Sequence, residues 1–265
     1  MLVYPNAKIN LGLNVVERRA DGYHNIETIF YPIGIQDILS VEASETCTDY
    51  SFSSSGIAIG GDAEDNLIIK AYHLLSSEYE FAPVDISLHK QIPFGAGLGG
   101  GSSDAAFMLK ALNELFSLNI STKKIEILAA KLGADCPFFI RNKPVYATGI
   151  GNIFSPVNIS LKGYQMLLVK PDIHVSTPEA YAGITPIPSQ KSLVKLVQLP
   201  IETWKNHIKN DFEKTVFANQ PTIGNIKDKM YELGALYASM SGSEPRYMEY
   251  LKKDQTLKDY LKKVL

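Results

Sequence analysis

Cysteine is scarce in this chain of 265 residues, which contains only Cys47 and Cys136. Two cysteines this far apart give neither a disulfide framework nor a zinc-binding set, and they indicate a reducing compartment such as the cytoplasm. An excess of one charge is also lacking, because 26 basic residues (Lys and Arg) against 28 acidic ones leave a net charge of −2. A protein that binds nucleic acid through a basic face is therefore disfavoured.

Long apolar runs are missing as well. No segment approaches the ~20 residues of a membrane-spanning helix. The first residues lack the basic-then-apolar pattern of a secretory signal. What is present is the composition of an ordinary globular protein, with 45% hydrophobic and 20% charged residues. These features predict a cytoplasmic protein with no membrane partner, and they leave the oligomeric state open.

The length suits one large or two small domains. Strand-like alternation dominates the early part of the chain and helical patterns the late part, without a regular strand–helix alternation, which favours an α+β fold over a doubly wound α/β fold. We expect an N-terminal domain over residues 1–158 and a C-terminal α+β domain over 159–265. The predicted strands are 7–16, 23–30, 37–41, 84–89, 145–148 and 165–170. The predicted helices are 66–79, 105–116, 122–132, 211–217, 222–233 and 254–265, and the proline-rich stretch 171–188 is expected to be loop with at most one short helix.

The most informative segment is Gly-Ala-Gly-Leu-Gly-Gly-Gly-Ser-Ser-Asp over residues 95–104, between a predicted strand and a predicted helix. Glycines allow positive φ and close approach, so backbone N–H groups can converge on an anion, and the following helix adds its free N–H groups. Ser102, Ser103 or Asp104 could cap that helix, and either hydroxyl could instead reach a phosphate oxygen or Mg²⁺. A Walker loop is excluded because no lysine follows the glycines, and a dinucleotide fingerprint lacks its third glycine. A flexible linker is disfavoured by the position between strand and helix.

Residues 93–106, which read Pro-x-Gly-x-Gly-Leu-Gly-Gly-Gly-Ser-Ser-Asp-Ala-Ala, resemble the nucleotide loop of the GHMP kinases, the galactose, homoserine, mevalonate and phosphomevalonate kinases. Ala-Lys-Ile-Asn-Leu at 7–11 and Gly-Ala-Asp-Cys-Pro-Phe-Phe at 133–139 resemble the catalytic segments of that family. Arg-Ala-Asp-Gly-Tyr-His at 19–24 resembles a segment of those family members that act on a cytidine diphosphate methylerythritol. The resemblance implies two α+β lobes with the active site in the cleft between them.

The resemblance also implies roles for individual residues in an ATP- and Mg²⁺-dependent transfer of phosphate to a small-molecule hydroxyl. Lys8 and Asp135 correspond to the catalytic pair of the family. Without the resemblance, the simpler interpretation is that Lys8 is a surface lysine and that Asp135 caps a helix. Asn10, Tyr23, His24 and Thr177 correspond to substrate contacts. The metal ligands remain unassigned. The nucleotide contacts implied are Asn66, Lys90, Pro93, Phe94, Gly95, Ala96, Gly97, Leu98, Gly99, Gly100, Gly101, Ser102 and Ser103.

Two alternatives stay open. The chain could be another GHMP kinase, of the homoserine or mevalonate type, or a nucleotide-binding protein that has lost catalysis. The second alternative is suggested by residues 244–251, Glu-Pro-Arg-Tyr-Met-Glu-Tyr-Leu. The resemblance to the family ends at Ser243, and the residues that follow have a low propensity for a half-buried strand. Deleting one G from codons for Gly-Ala-Ser-Val-Tyr-Gly-Ile-Phe yields this segment, so we hypothesise a slipped reading frame, against a genuine divergent loop.

Overall fold

The structure is a computed structural model that describes residues 1–93, 97–171, 173, 175–243 and 248–253. The strands are β1 Leu2–Val3, β2 Asn6–Arg18, β3 His24–Gln36, β4 Ile38–Ala43, β5 Tyr50–Gly56, β6 Val84–Lys90, β7 Val145–Thr148, β8 Ile153–Pro156, β9 Tyr164–Val169, β10 Tyr237–Met240 and β11 Met248–Lys253. The helices are α1 Leu67–Ser76, α2 Gly100–Leu115, α3 Thr122–Leu132, α4 Cys136–Arg141, α5 Thr177–Ala182, α6 Leu193–Leu196, α7 Ile201–Trp204, α8 Phe212–Asn219 and α9 Pro221–Glu232. This mixture of sheets and helices is an α+β fold, as predicted.

The chain divides into two compact units, and each unit is made of two chain segments. Unit 1 consists of Met1–Lys8 with Pro32–Lys143, and unit 2 of Ile9–Tyr31 with Pro144–Leu265. The sequence predicts a single boundary after residue 158, which would leave each domain one continuous segment. The long strands β2 and β3 are the reason for the difference, since each begins in one unit and continues in the other.

Unit 1 has a four-stranded sheet in the order β1-β4-β6-β5 and the helices α1 to α4. β4 pairs antiparallel with β1 and β6, whereas β5 runs parallel to β6. In β6 the side chains of Val84, Ile86 and Leu88 are buried and alternate with more accessible ones, as a sheet with one covered face requires. The glycine loop follows the end of β6 and leads into the start of α2.

Unit 2 contains two sheets. Residues 9–18 of β2 and 24–31 of β3 join β7 and β8 in the order β2-β3-β7-β8, and a second sheet has the order β10-β11-β9. Its apolar core joins Leu13 and Val15 of β2 to Phe212 and Val216 of α8 and Met240 of β10. Burial of such side chains is the main contribution to the stability of the unit.

Most of the predicted elements form, and several regions differ from expectation. Absent from the prediction are the strands β1, β5, β8 and β10 and the short helices α4, α6 and α7. Residues 248–251 were expected to be poor strand material, but Met248–Lys253 pair with β10 on one side and β9 on the other. The predicted helix at 254–265 and residues 244–247 lie outside the described residues. Within the part of the chain that the structure describes, none of the helices combines the length and the apolarity needed to span a bilayer.

Candidate active site

Lys8 and Asp135, the predicted catalytic pair, meet inside unit 1. The Lys8 ammonium lies 3.4 Å from Asp135 Oδ2. Lys8 is 4% exposed because it sits within β2, while Asp135 remains half-buried and accessible. The backbone N–H of Lys8 donates to the carbonyl oxygen of Leu98 at 2.9 Å, which ties this strand to the glycine loop. A cation thus stands beside a reachable carboxylate at the edge of the loop.

Asp135 is placed by the turn between α3 and α4. α3 ends at Leu132, and the N–H of Cys136 donates to the carbonyl oxygen of Gly133 at 3.2 Å. Asp135 stands at the N-cap position of α4, but its side chain makes no capping hydrogen bond, so the capping interpretation is wrong. Burial raises the pKa of the Cys136 thiol to about 11, which keeps it protonated at neutral pH and leaves it no role as a nucleophile.

The glycine loop bends through two left-handed residues, Gly97 (φ +66°) and Gly99 (φ +69°). Gly99 is the N-cap of α2, so neither of the two serines nor Asp104 caps the helix. A Cβ on Gly99 would lie 2.9 Å from Phe139 Cζ and 3.3 Å from Lys8 Cγ. Only glycine fits this position, both for its backbone conformation and for its close approach. Phe94, Gly95 and Ala96 lie outside the described residues.

The first turn of α2 carries an unpartnered hydroxyl. Ser103 is fully buried, and among the described residues its Oγ has no hydrogen-bond partner. Its backbone N–H donates to the carbonyl oxygen of Gly99 at 2.8 Å. A buried polar atom without a partner costs free energy, so its presence at a helix start points to a ligand oxygen or a metal ion. Within the described residues, no group of three histidine, cysteine or acidic side chains forms a metal site.

The two residues expected near the adenine have other surroundings. Asn66 caps α1, since its Oδ1 accepts a hydrogen bond from the N–H of Ile68 at 2.9 Å. Lys90 is buried, and its ammonium donates to Asp37 Oδ2 and, at 2.6 Å, to Asp104 Oδ2. These two carboxylates bind the Lys90 ammonium below the surface, and the expectation that Lys90 lies near the base stays a prediction. Burial raises the pKa of Asp104 to about 7.

The predicted substrate residues lie in unit 2. Asn10 is buried, and its Nδ2 donates to Thr28 Oγ1 at 3.0 Å. Tyr23 is 63% exposed, which leaves its ring accessible. Thr177 is the first residue of α5, and its hydroxyl lies 3.5 Å from Ser243 Oγ. These residues offer amide, hydroxyl and aromatic groups, which suit a polar ligand with a flat ring.

His24 has an aromatic partner that the sequence analysis missed. Its ring stacks on Tyr181 with a centroid distance of 4.8 Å and an interplanar angle of 24°. Tyr181 lies four residues after Thr177 in α5, which begins with a capping box between Ser176 and Glu179. The Ser-Thr-Pro-Glu start is a helix signal visible in the sequence, so the ring could have been placed on the same short helix as Thr177.

A cavity of about 710 Å³ lies elsewhere in unit 2 and is lined by Asn14 and by residues between 183 and 214. Its described lining contains none of the predicted site residues. The lining includes three lysines and two acidic residues together with apolar side chains, and the cavity is open to solvent. The chemistry-bearing groups therefore point to Lys8, Asp135 and the glycine loop rather than to this opening.

Comparison with known proteins identifies close relatives. Residues 66–143 match the family described as GHMP kinases N terminal domain. The chain is 57% identical to the 4-diphosphocytidyl-2-C-methyl-D-erythritol kinase of Parabacteroides distasonis and 55% identical to that of Bacteroides thetaiotaomicron. Each alignment spans 244 residues, 92% of this chain and 89% of the relative.

The solved structures that resemble this chain include a kinase of the same name as these relatives. A crystal structure of 4-(cytidine 5'-diphospho)-2C-methyl-D-erythritol kinase matches with a TM-score of 0.79 and 31% identity, over 94% of this chain and 90% of that one. The mevalonate kinase of Methanococcus jannaschii matches with a TM-score of 0.67 over 100% of this chain and 94% of that one. Its identity of 14% means that it shares the fold alone.

Proposed function

The chain belongs to the 4-diphosphocytidyl-2-C-methyl-D-erythritol kinases of the GHMP kinase family, and we propose that Lys8 and Asp135 carry out its transfer of phosphate from ATP to the 2-hydroxyl of that substrate. The protein is thus an ATP-dependent small-molecule kinase. The observation that carries the residue assignment is the 3.4 Å approach of the Lys8 ammonium to the Asp135 carboxylate beside the glycine loop.

The carboxylate of Asp135 orients the acceptor hydroxyl and accepts its proton as the oxygen attacks the terminal phosphorus of ATP. In-line phosphoryl transfer needs little more than such positioning together with charge stabilisation. Lys8 supplies a fixed positive charge that balances the negative charge that develops in the transition state. Burial of Lys8 strengthens this effect because the local dielectric constant is low.

The nucleotide phosphates bind at the glycine loop and the start of α2. The left-handed Gly97 and Gly99 let backbone N–H groups face an anion, and the helix N-terminus favours negative charge. The unpartnered Ser103 Oγ suits a phosphate oxygen or Mg²⁺. Mg²⁺, when bound with ATP, neutralises phosphate charge, and hydroxyl and phosphate oxygens are the ligands it prefers. Asn66, at the start of α1, is assigned to the adenine end of the nucleotide.

The acceptor substrate binds through groups of unit 2. The stacked rings of His24 and Tyr181, with the exposed ring of Tyr23, offer flat surfaces for a pyrimidine. The buried amide of Asn10 and the hydroxyl of Thr177 can hold the polyol and diphosphate by hydrogen bonds. The apolar faces of the rings and the few polar groups together favour a nucleotide-linked polyol over a small amino acid or hydroxy acid.

An acceptor panel tests the proposed function. Purified protein is supplied with Mg²⁺ and ATP and with the cytidine substrate, homoserine or mevalonate, and ADP release is followed in a coupled assay. We expect turnover with the cytidine substrate and none above background with the other two. Turnover with homoserine or mevalonate instead would refute the substrate. ATP binding by calorimetry without ADP release on any acceptor would favour the impaired nucleotide-binding alternative.

A pair of variants ties the activity to the site. Asp135→Asn removes the proposed base at nearly constant volume, and Asp228→Asn makes the same change at an exposed position on α9. The first variant should abolish most ADP release, while the second should retain the parent rate.

A further inference from the structure

Three charged side chains form a fully enclosed group beneath the glycine loop. Asp37, Lys90 and Asp104 are 0%, 1% and 2% exposed, and we call them the buried triad. They come from three separate places: the junction of β3 and β4, the last residue of β6, and the second turn of α2. Charged residues are rarely buried to this extent unless they are paired.

The triad binds the strand that enters the glycine loop. Asp37 Oδ1 accepts hydrogen bonds from the backbone N–H groups of Gln91 at 2.6 Å and Ile92 at 2.8 Å. Asp37 Oδ2 accepts from the Lys90 ammonium. The carboxylate thus fixes three consecutive residues at the point where β6 ends. Bonds from N–H groups to a buried carboxylate are charge-assisted and hold their geometry well.

The triad also binds the helix that leaves the loop. The Lys90 ammonium donates to Asp104 Oδ2 at 2.6 Å, and a Cβ on Gly100 would lie 3.1 Å from the Lys90 Nζ atom. The start of α2 therefore lies against the ammonium, and a Cβ on Gly100 would also lie 2.8 Å from Ile92 Cγ2, which leaves little room for a side chain. Lys90 joins both ends of the loop, the entry through Asp37 and the exit through Asp104.

We propose that Lys90 is a positioning residue for the phosphate-binding loop: with Asp37 and Asp104 it sets the spacing between the end of β6 and the start of α2, and so aligns the loop N–H groups on the nucleotide phosphates. This inference rests on the proposed nucleotide-binding function. It differs from a contact between Lys90 and the base, because it assigns the effect of Lys90 to the phosphates.

The test compares ligands that contain and lack phosphates. Binding of ADP and of adenosine to the parent and to Lys90→Met is measured by calorimetry, together with the KM for ATP and kcat. We expect ADP affinity to fall by about tenfold or more, adenosine affinity to stay within about twofold, and the KM for ATP to rise while kcat at saturating ATP stays within about threefold. Lys131→Met, at an exposed lysine paired with Glu78, is the matched control and should bind both ligands as the parent does.

Three outcomes would overturn the proposal. An equal loss of ADP and adenosine affinity would indicate a base contact. A lower melting temperature with unchanged affinities and KM would indicate a structural role only. Loss of kcat with unchanged KM would indicate a part in the chemical step. If the parent itself binds neither ligand, the proposed nucleotide-binding function fails instead.

A second variant keeps the test decisive if Lys90→Met does not fold. Asp104→Asn preserves the shape of the side chain and leaves Lys90 paired with Asp37, so only the link to α2 is weakened. We expect ADP affinity to fall by about threefold to tenfold with adenosine affinity unchanged. Unchanged ADP affinity in a folded Asp104→Asn protein would refute the positioning role of the triad.

Discussion

Replacing Gly99 by alanine should strain the glycine loop by a predictable amount. The residue has φ +69°, and a left-handed conformation costs a non-glycine residue about 1–2 kcal/mol. The new methyl group would also lie 2.9 Å from Phe139 Cζ, and the Phe139 ring is buried against Phe138. Overpacking of this kind costs about 1–3 kcal/mol. The expected loss in the free energy of unfolding is therefore about 2–5 kcal/mol, the sum of two independent contributions.

The loss should appear in two measurements. In a protein of this size each kcal/mol lowers the melting temperature by about 2–4 °C, so calorimetry should show a decrease of about 4–20 °C. If the loop shifts to relieve the strain and its contacts with ADP weaken by about 1.4 kcal/mol, ADP affinity falls by about tenfold. Valine at position 99 should be worse, because its branched side chain places two further carbons beside the ring.

Gly61→Ala separates the two contributions. Gly61 has φ +92°, but a Cβ there would meet nothing within 4 Å, so only the backbone cost remains. That variant should lose about 1–2 kcal/mol and keep the parent's ADP affinity. A Gly99→Ala protein that melts within about 2 °C of the parent and binds ADP equally well would refute the packing argument.

Three further predictions concern catalysis, the substrate and the C-terminal segment. Asp135→Asn should lower kcat by about 10²–10⁴ with ATP affinity changed only a few-fold, as for other lost general bases, and near-normal ADP release would remove Asp135 from the mechanism. Tyr181→Leu keeps apolar volume against Phe212 but removes the flat ring, so the KM for the cytidine substrate should rise about tenfold while that for ATP stays constant; equal changes in both would contradict a stacking role. Replacing residues 244–251 by Gly-Ala-Ser-Val-Tyr-Gly-Ile-Phe should raise kinase activity and melting temperature together if the segment comes from a slipped reading frame. No gain in either quantity would show that the segment is native.

The sequence predicted the parts of the fold that depend on local pattern. Helix α3 has the predicted bounds, Thr122–Leu132, because Ser121 caps it and Gly133 follows it. The strands with clear alternation formed within a few residues of their predicted ends. β5 was missed because its serine-rich sequence gives no alternation, and its formation depends on parallel pairing with β6.

The candidate site was predictable to a smaller extent. The glycine loop can be read from local chemistry, but the approach of Lys8 to Asp135 depends on a resemblance, since no pattern in one sequence joins residues so far apart. The ion pairs of Lys90 could not be predicted for a related reason. Its burial results from carboxylates on two other segments, and a lysine at a strand end looks the same in the sequence whether it faces solvent or Asp37.

The two-segment construction of unit 2 affects how the protein folds during synthesis. Leu13 and Val15 of β2 leave the ribosome early, but they pack in one core with Ala238 and Met240, which are made near the end of the chain. At translation rates of about 5–20 residues per second, the early strand residues wait about 10–50 s for these partners. Throughout that time an apolar strand is without its native cover, so we expect newly made chains to depend on chaperones more strongly than refolding of the complete protein does.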